Sequence, residues 1–295
     1  MFTMLRISIA MGIFFMAPHV FAQDAMKSMG SMSNMDKLSQ EMVNPLGPHW
    51  LLNTYVNVMR QNGDITDDTR TASNWLLQPV MPIPINKKTG LILMNRPAIT
   101  VFFDKPTPTA NAMGQFSGIK SYSGNGDLTM QTALGKMTPN KAGKLMAGAG
   151  TVLVFPTASR DELGAEKYSA GPVVMAVELT PKYTYGAMFN HIWSYAGNDD
   201  RDNVSQTQLQ FIYYKQLGNG WQIGDNPTWS MEDNAPSGEK YNLPIGLGIF
   251  KTTTLRGSAW RFGITPRYFI KSNERWGNDW GISFTITPVT KNPFM

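Results

Sequence analysis

The sequence predicts an all-β protein, a transmembrane antiparallel β-barrel of about 12 strands with short periplasmic turns and long extracellular loops. Three observations carry that expectation. Val204–Tyr214 alternates, with Thr207, Leu209, Phe211 and Tyr213 on one face and Gln206, Gln208 and Gln210 on the other. A strand points successive side chains to opposite faces, so this one has an apolar side for lipid and a polar side for a lumen. The chain is 42% hydrophobic and only 16% charged, whereas an ordinary soluble domain carries about 25% charged residues. Finally, compact and long connections alternate along the chain, as they do when turns face the periplasm and loops face outside.

Residues 1–22 read as a signal peptide. Arg6 supplies a positive start, Ile7–Met16 an apolar run, and Val20-Phe21-Ala22 a small-residue cleavage pattern before Gln23. Cleavage after Ala22 implies export, and export of a half-apolar β pattern implies the cell outer membrane of a Gram-negative bacterium. No later stretch approaches the roughly 20 apolar residues of a spanning helix. With no cysteine, the chain can form neither disulfides nor a lipidated N-terminal thioether. The net charge of +5 comes without a basic cluster, so no nucleic acid partner is expected.

Residues 23–49 form a methionine-rich linker with a short helix. Met26, Met29, Met32 and Met35 recur at every third position, a spacing that can gather soft thioether ligands for Cu(I). A flexible tether in a chain with 20 methionines is the plainer reading, and no metal or cofactor is expected. Asp36–Val43 has helical spacing with Leu38 and Met42 four apart, and Pro45 would end it. Such a helix either plugs the barrel mouth or lies on the surface.

The barrel is expected over 50–295. Its candidate strands are 50–59, 75–85, 91–103, 126–135, 146–155 and 171–179, then 183–194, 204–215, 221–229, 240–251, 259–271 and 279–288. Compact turns are expected at Asn86–Gly90, Thr180–Lys182, Leu217–Gly220 and Thr252–Ser258. Long loops are expected at Arg60–Asn74, Asp104–Asn125, Pro156–Ala170, Tyr195–Asn203, Ser230–Glu239 and Ser272–Asn278, and Lys136–Leu145 breaks the rhythm. In strand 259–271 the series Trp260, Phe262, Ile264, Pro266, Tyr268, Ile270 opposes Arg261, Gly263, Thr265, Arg267, Phe269, Lys271. Tryptophans near strand ends (Trp193, Trp221, Trp260 and Trp280 among them) fit interfacial girdles. Prolines within strands, Pro79 and Pro82–Pro84 above all, each remove a ladder donor and suggest a bulge or gap in the wall. A soluble β-sandwich also alternates, but its loops would be less regular in length.

Several segments resemble a known family: LQPVMPIPI (77–85), GAGTVLVFPTAS (148–159), LGAEKYSAGPVVMAVEL (163–179), YGAMFNHIWSYAGNDDRDNVSQTQLQ (185–210) and LGNGW (217–221). On these the chain resembles bacterial outer-membrane proteins grouped as the MetA-pathway of phenol degradation family, some of which carry the label neuromedin U. The resemblance runs over about residues 44–288 and is most specific in HIWSYAGNDDRDNVSQTQLQ. It implies an outer-membrane barrel and a channel for small molecules, hydrophobic or aromatic ones in view, and it brings no catalytic residues with it. The chain departs from barrel habit at its end, where Pro288–Met295 follows the last strand and Phe294 is only penultimate.

Candidate chemistry concentrates in the lumen. Facing inward, Arg261 and Arg267 form a positive stripe with Lys271, Arg96 joins it from strand 91–103, and Glu178 is placed to pair with an arginine. With Gln206, Gln208 and Gln210 these residues are the expected lining of a passage. A salt-bridged network that fills the narrow lumen is the competing reading of the same residues. His191 and Ser194 are three apart on one strand and point to opposite faces, so they cannot form a nucleophile–base pair. The acidic tips Asp64–Asp68 and Asp199–Asp202 lack calcium-loop spacing, and Arg201 is expected to neutralise part of the second.

The expectation from sequence is therefore a passive outer-membrane channel or transporter for small molecules and not an enzyme. Its expected partners are outer-membrane lipid, a small-molecule solute and the barrel-assembly machinery. A non-transporting structural or adhesive barrel with a filled lumen is the alternative, and an outer-membrane lipid hydrolase the third.

Overall fold

A computed structural model of the chain describes residues 33–294. The leader peptide with its cleavage site, and Met26, Met29 and Met32, lie outside the described residues. One helix, α1 (Asn34–Glu41), precedes the sheet. The strands that follow are β1 (His49–Gly63), β2 (Thr66–Asn86), β3 (Leu91–Ala110), β4 (Phe116–Asn125), β5 (Leu128–Pro139), β6 (Lys144–Phe155) and β7 (Lys167–Leu179). Beyond them run β8 (Tyr183–Gly197), β9 (Ser205–Gly218), β10 (Trp221–Asp225), β11 (Thr228–Glu232), β12 (Tyr241–Gly246), β13 (Gly248–Leu255), β14 (Ser258–Lys271) and β15 (Gly277–Lys291).

These strands make a closed, 12-stranded antiparallel barrel. The ring closes where β1 pairs with β15, from His49 opposite Lys291 to Asn62 opposite Gly277. Three wall strands are each broken in two. Gly126 and Asp127 separate β4 from β5, Asn226 and Pro227 separate β10 from β11, and Leu247 separates β12 from β13. The first two breaks contain a glycine or a proline, and the third, Leu247, is flanked by Gly246 and Gly248. Asp127, in the first, accepts from the amides of Ala158 (3.1 Å) and Ala165 (2.8 Å) and so ties down the loop that follows β6.

The expected wall strands reappear almost one for one, but three expected connections do not. Arg60–Asn74 is no loop: β1 and β2 run on as a ladder, Arg60 opposite Thr71, to a turn at Asp64 and Ile65. Asp104–Asn125 is mostly a hairpin of β3 with β4, Thr107 opposite Lys120. Lys136–Leu145 keeps the rhythm after all, since β5 and β6 pair down to Pro139 opposite Lys144. Exposed polar residues can extend a hairpin beyond an apolar slab, so polarity alone misplaced the strand ends. The Leu217–Gly220 turn requires left-handed backbone at three successive residues, Gly218 (φ 95°), Asn219 (φ 51°) and Gly220 (φ 77°), which glycine and asparagine tolerate.

Burial follows the predicted alternation. Along β14, Arg261, Thr265 and Phe269 are buried whereas Phe262, Ile264, Tyr268 and Ile270 are exposed. Along β15, Ser283, Thr285 and Thr287 are buried and Trp280, Phe284 and Ile286 exposed. Large apolar side chains thus stand outward, and aromatic ones gather at both ends: Tyr183, Tyr185 and Trp221 near the short turns, Tyr168, Trp193 and Trp280 near the loops. A surface of this kind suits lipid. The end of the chain, whose register was open, continues β15 to Lys291; Asn292 then donates to the Pro82 carbonyl (2.8 Å) and Phe294 lies 6.1 Å from the Trp50 ring.

At the short-turn end the lumen is filled by the N-terminal segment. Ser33 caps α1 by accepting from the Asp36 amide (3.1 Å). Asp36 accepts from the Gly220 amide (2.8 Å), and Gln40 donates to the Thr180 carbonyl, so the helix is fastened to two turns. The chain then leaves the helix and buries Met42 and Leu46 completely among inward apolar residues such as Leu51, Met94, Met146 and Val177. Burying a side chain of this size contributes roughly 1.5–3 kcal/mol. The helix thus sits at the barrel mouth against those turns, and the segment that follows it fills the lumen. Burial holds the Glu41 carboxyl above its ordinary value, against the opposing pull of Lys144 and His49. The seated plug therefore favours the neutral carboxyl, and seating weakens as pH rises through that raised value.

Leu46→Ala should loosen the plug by about 2–5 kcal/mol, seen as faster tryptic cleavage after the exposed Lys37 while the barrel keeps its heat-modifiable gel mobility. Glu41→Gln should slow the same cleavage at neutral pH and flatten its pH dependence. Unchanged cleavage in both variants would show that the segment is not held by these contacts.

Candidate functional site

The middle of the lumen is crossed by one arginine. Arg96 projects from β3 at a place where the β2–β3 ladder lapses: Leu77 pairs with Ile99, and pairing resumes only at Met81 with Asn95. Pro79 and Pro97 face this gap and neither has an amide to donate. The Arg96 side chain spans it, Nη2 donating to Gln78 Oε1 on β2 (2.6 Å). Nη1 donates to Gln131 Oε1 on β5 (3.1 Å) and, across the lumen, to Gln210 Oε1 on β9 (2.9 Å). Gln210 passes the link on by donating to the Asn226 carbonyl (3.2 Å), at the break between β10 and β11. A guanidinium, always charged, is thus held 9% exposed by neutral amide oxygens.

The other two arginines behave differently from one another. Arg267 grips Asp225 side-on, Nε to Oδ2 at 3.0 Å and Nη2 to Oδ1 at 2.7 Å. Asp225 is 1% exposed; it ends β10, and the pair braces the wall where β10 and β12 both stop. Arg267 is therefore inside the barrel, as expected, but its charge is cancelled locally. Arg261 lies against two rings that meet edge-to-face, its guanidinium carbon 4.1 Å from the Phe250 centroid and 4.6 Å from that of Tyr214. Among the described residues no carboxylate forms an ion pair with Arg96 or Arg261.

Gln206, Gln208 and Gln210 stand on the inward face of β9, as their alternation suggested. Gln206 donates to Glu232, Gln208 donates to Gln206, and Asn190 donates to Gln208 (3.3 Å). Glu178 is a correction. It follows Val174 and Ala176 on the outward face of β7, whose buried series is Val173, Met175, Val177 and Leu179. Both its carboxylate oxygens accept from Asn140 Nδ2 at 3.0 Å, outside the lumen and beside a turn. Sharing a register with apolar residues placed it toward the outside, away from any lumen arginine. Lys271 pairs with the nearby Glu274 (3.6 Å), outside the stripe that sequence drew. Arg201 reaches back to Glu166 (3.4 Å) and to the Asp161 and Gly164 carbonyls, crossing to another loop instead of neutralising its own.

Two cavities of about 70 and 80 Å³ meet at Arg96. The first lies against the plug, with Met42, Leu51, Val80, Ile212 and Phe250 as apolar walls and Arg96 and Arg261 as its charges. The second, toward the loops, is walled by amides: Gln78, Gln131, Asn190, Gln208 and Gln210. Gln78, Gln131 and Asp225 were not singled out from sequence. Alternation within strand 126–135 would have turned Gln131 inward, whereas nothing local marks Asp225.

His191 has a hydroxyl neighbour, Thr207 Oγ1, 2.8 Å from Nδ1, and Asp233 Oδ2 approaches the same nitrogen at 4.0 Å. In a nucleophile–histidine–acid relay the hydroxyl and the acid sit on opposite ring nitrogens. Here they share one, and Nε2 is buried without a partner among the described residues. This geometry does not make an acyl-transfer centre.

No family model matches the chain, and no curated protein does. Among solved structures it is similar to the COG4313 outer membrane channel from Pseudomonas putida F1, at 16% identity and a TM-score of 0.57, over 82% of this chain and 96% of that one. That likeness is one of fold. OccAB4 from Acinetobacter baumannii aligns over 82% of this chain and 97% of its own at 8% identity, but with a TM-score of 0.23 the two backbones differ too much to argue from.

Asp225→Asn should destabilise the refolded barrel by about 3–5 kcal/mol, because it leaves Arg267 buried without its counter-charge. Asp225→Asn with Arg267→Gln should recover at least half of that loss in urea unfolding. Equal losses in the single and double variants would show that the pair is not coupled.

Proposed function

We propose that the chain is an outer-membrane channel through which small molecules, hydrophobic or aromatic ones in particular, cross by passive diffusion. The observation that carries this reading is the lumen itself: a closed barrel with an apolar exterior encloses two cavities joined at one amide-held arginine. The fold shared with an outer membrane channel supports it. Lumen side chains tune selectivity in such barrels. Arg96 and Arg261 leave net positive charge at the passage, whereas Arg267 and Asp225 cancel. The lapse in the β2–β3 ladder beside Gln78 and Arg96 offers an apolar solute a sideways route into lipid, since the two prolines leave fewer bonds to part there.

A second reading has its own observation. The plug and two cavities of 70 and 80 Å³ are what a filled, non-transporting barrel would also show. Single-channel conductance of the refolded protein in a planar bilayer separates the two. Discrete openings with anion preference are expected, rising in frequency with Leu46→Ala. Arg96→Gln should lower the preference severalfold, and Asp225→Asn/Arg267→Gln should leave it nearly unchanged. A bilayer that stays silent for both wild type and Leu46→Ala, with folding confirmed by gel mobility, would favour the filled barrel.

A further inference from the structure

Arg267 and Arg261 share the inward face of one strand, and the contrast between them points to a ligand. Arg267 uses its Nε–Nη2 edge to hold both oxygens of the Asp225 carboxylate. The same edge of Arg261, Nε and Nη2, is buried and has no hydrogen-bond partner among the described residues. We propose that the cavity between the plug and Arg96 is a binding site for the carboxylate of a small amphiphile, anchored side-on by Arg261. The proposal rests on the channel reading and adds a substrate class to it.

Four features favour this ligand chemistry. A guanidinium only 4% exposed, with two N–H groups unpaired, is costly until an acceptor arrives. The buried carboxylate of Asp225 is already committed to Arg267. Phe250 and Tyr214 stand together against Arg261, their rings edge-to-face with centroids 5.5 Å apart, and the unpaired donors left to it are those of the Nε–Nη2 edge, which an anion meets by approaching in the guanidinium plane. A planar carboxylate does this with two parallel bonds. Among the other walls, Leu51, Val80 and Ile212 suit the apolar body of such a molecule. The room of about 70 Å³ takes the carboxylate group, and the apolar body displaces Met42 and Val43 of the plug.

The test uses benzoate, with benzyl alcohol and benzylammonium as neutral and cationic analogues, titrated calorimetrically into the refolded mature protein in nonionic detergent. Benzoate should bind at least about tenfold more tightly than either analogue. Arg261→Gln should bring benzoate to the level of benzyl alcohol, Arg261→Lys should retain part of the difference, and Arg70→Gln, at an exposed hairpin, should change nothing. Equal affinity of the wild type for benzoate and benzyl alcohol overturns the proposal, and this comparison needs no variant to fold. Benzoate binding that survives Arg261→Gln overturns it as well. Bilayer conductance is read separately: benzoate discrimination in a silent barrel would uphold the site and sink the channel, and conductance without discrimination would do the reverse.

Discussion

Inside a lipid slab every backbone amide must find its partner within the protein, and a sheet with apolar residues outward satisfies this only by closing on itself. The β1–β15 ladder performs that closure, and the rest of the architecture follows from it. Prolines then become a specific problem, because each removes a donor from the ladder, and carbonyls at and near them take partners from outside it. The barrel answers with side chains. Trp229 donates to the Pro244 carbonyl (2.9 Å), Tyr213 to that of Gly246 (2.6 Å), and Asn292 and Trp50 both to that of Pro82 (2.8 and 3.3 Å). Where β10 gives out, the Phe211 amide donates to the Pro227 carbonyl (3.0 Å). The broken wall strands are thus held together by donors whose placement depends on their neighbours.

Closure also creates the interior that has to be filled. Toward the short turns it is dry, packed by Met42 and Leu46 against apolar residues from several strands. Toward the loops it is wetter in character, with amides and hydroxyls facing one another, as in Asn57 with Asn74 (2.9 Å) and Gln61 with Asn278 (3.1 Å). Arg96 stands at the junction. Its three glutamine partners come from β2, β5 and β9, so one side chain ties together strands far apart in sequence and lines both cavities. A charge in this place costs less when many dipoles share it.

The interior arginines show how the same residue type takes different roles within one barrel. Arg267 is structural, paired and neutralised beside a break in the wall. Arg96 is shared among amides and stands between the two cavities. Arg261 lies against two rings and keeps an unsatisfied edge. Spacing two, four or six residues apart along a strand conveys none of this, because the difference lies in what the neighbouring strands bring.

The sequence by itself determined the class of fold, the wall strands and the side each residue faces, since alternation is a local property of an extended chain. It placed Gln206, Gln208, Gln210, Arg96, Arg261 and Arg267 inside, and the same rule, applied strictly, would have put Glu178 outside with Val174 and Ala176. It fell short where polar strands run past the apolar slab, in the β1–β2 and β3–β4 hairpins, because polarity there looks like a loop. Only the tertiary structure decided that the N-terminal segment folds back into the lumen, that Arg267 meets Asp225, and that Arg261 lies against Tyr214 and Phe250. Those partners lie from 11 to well over 40 residues away in sequence, and they meet because ring closure brings distant strands onto one enclosed volume.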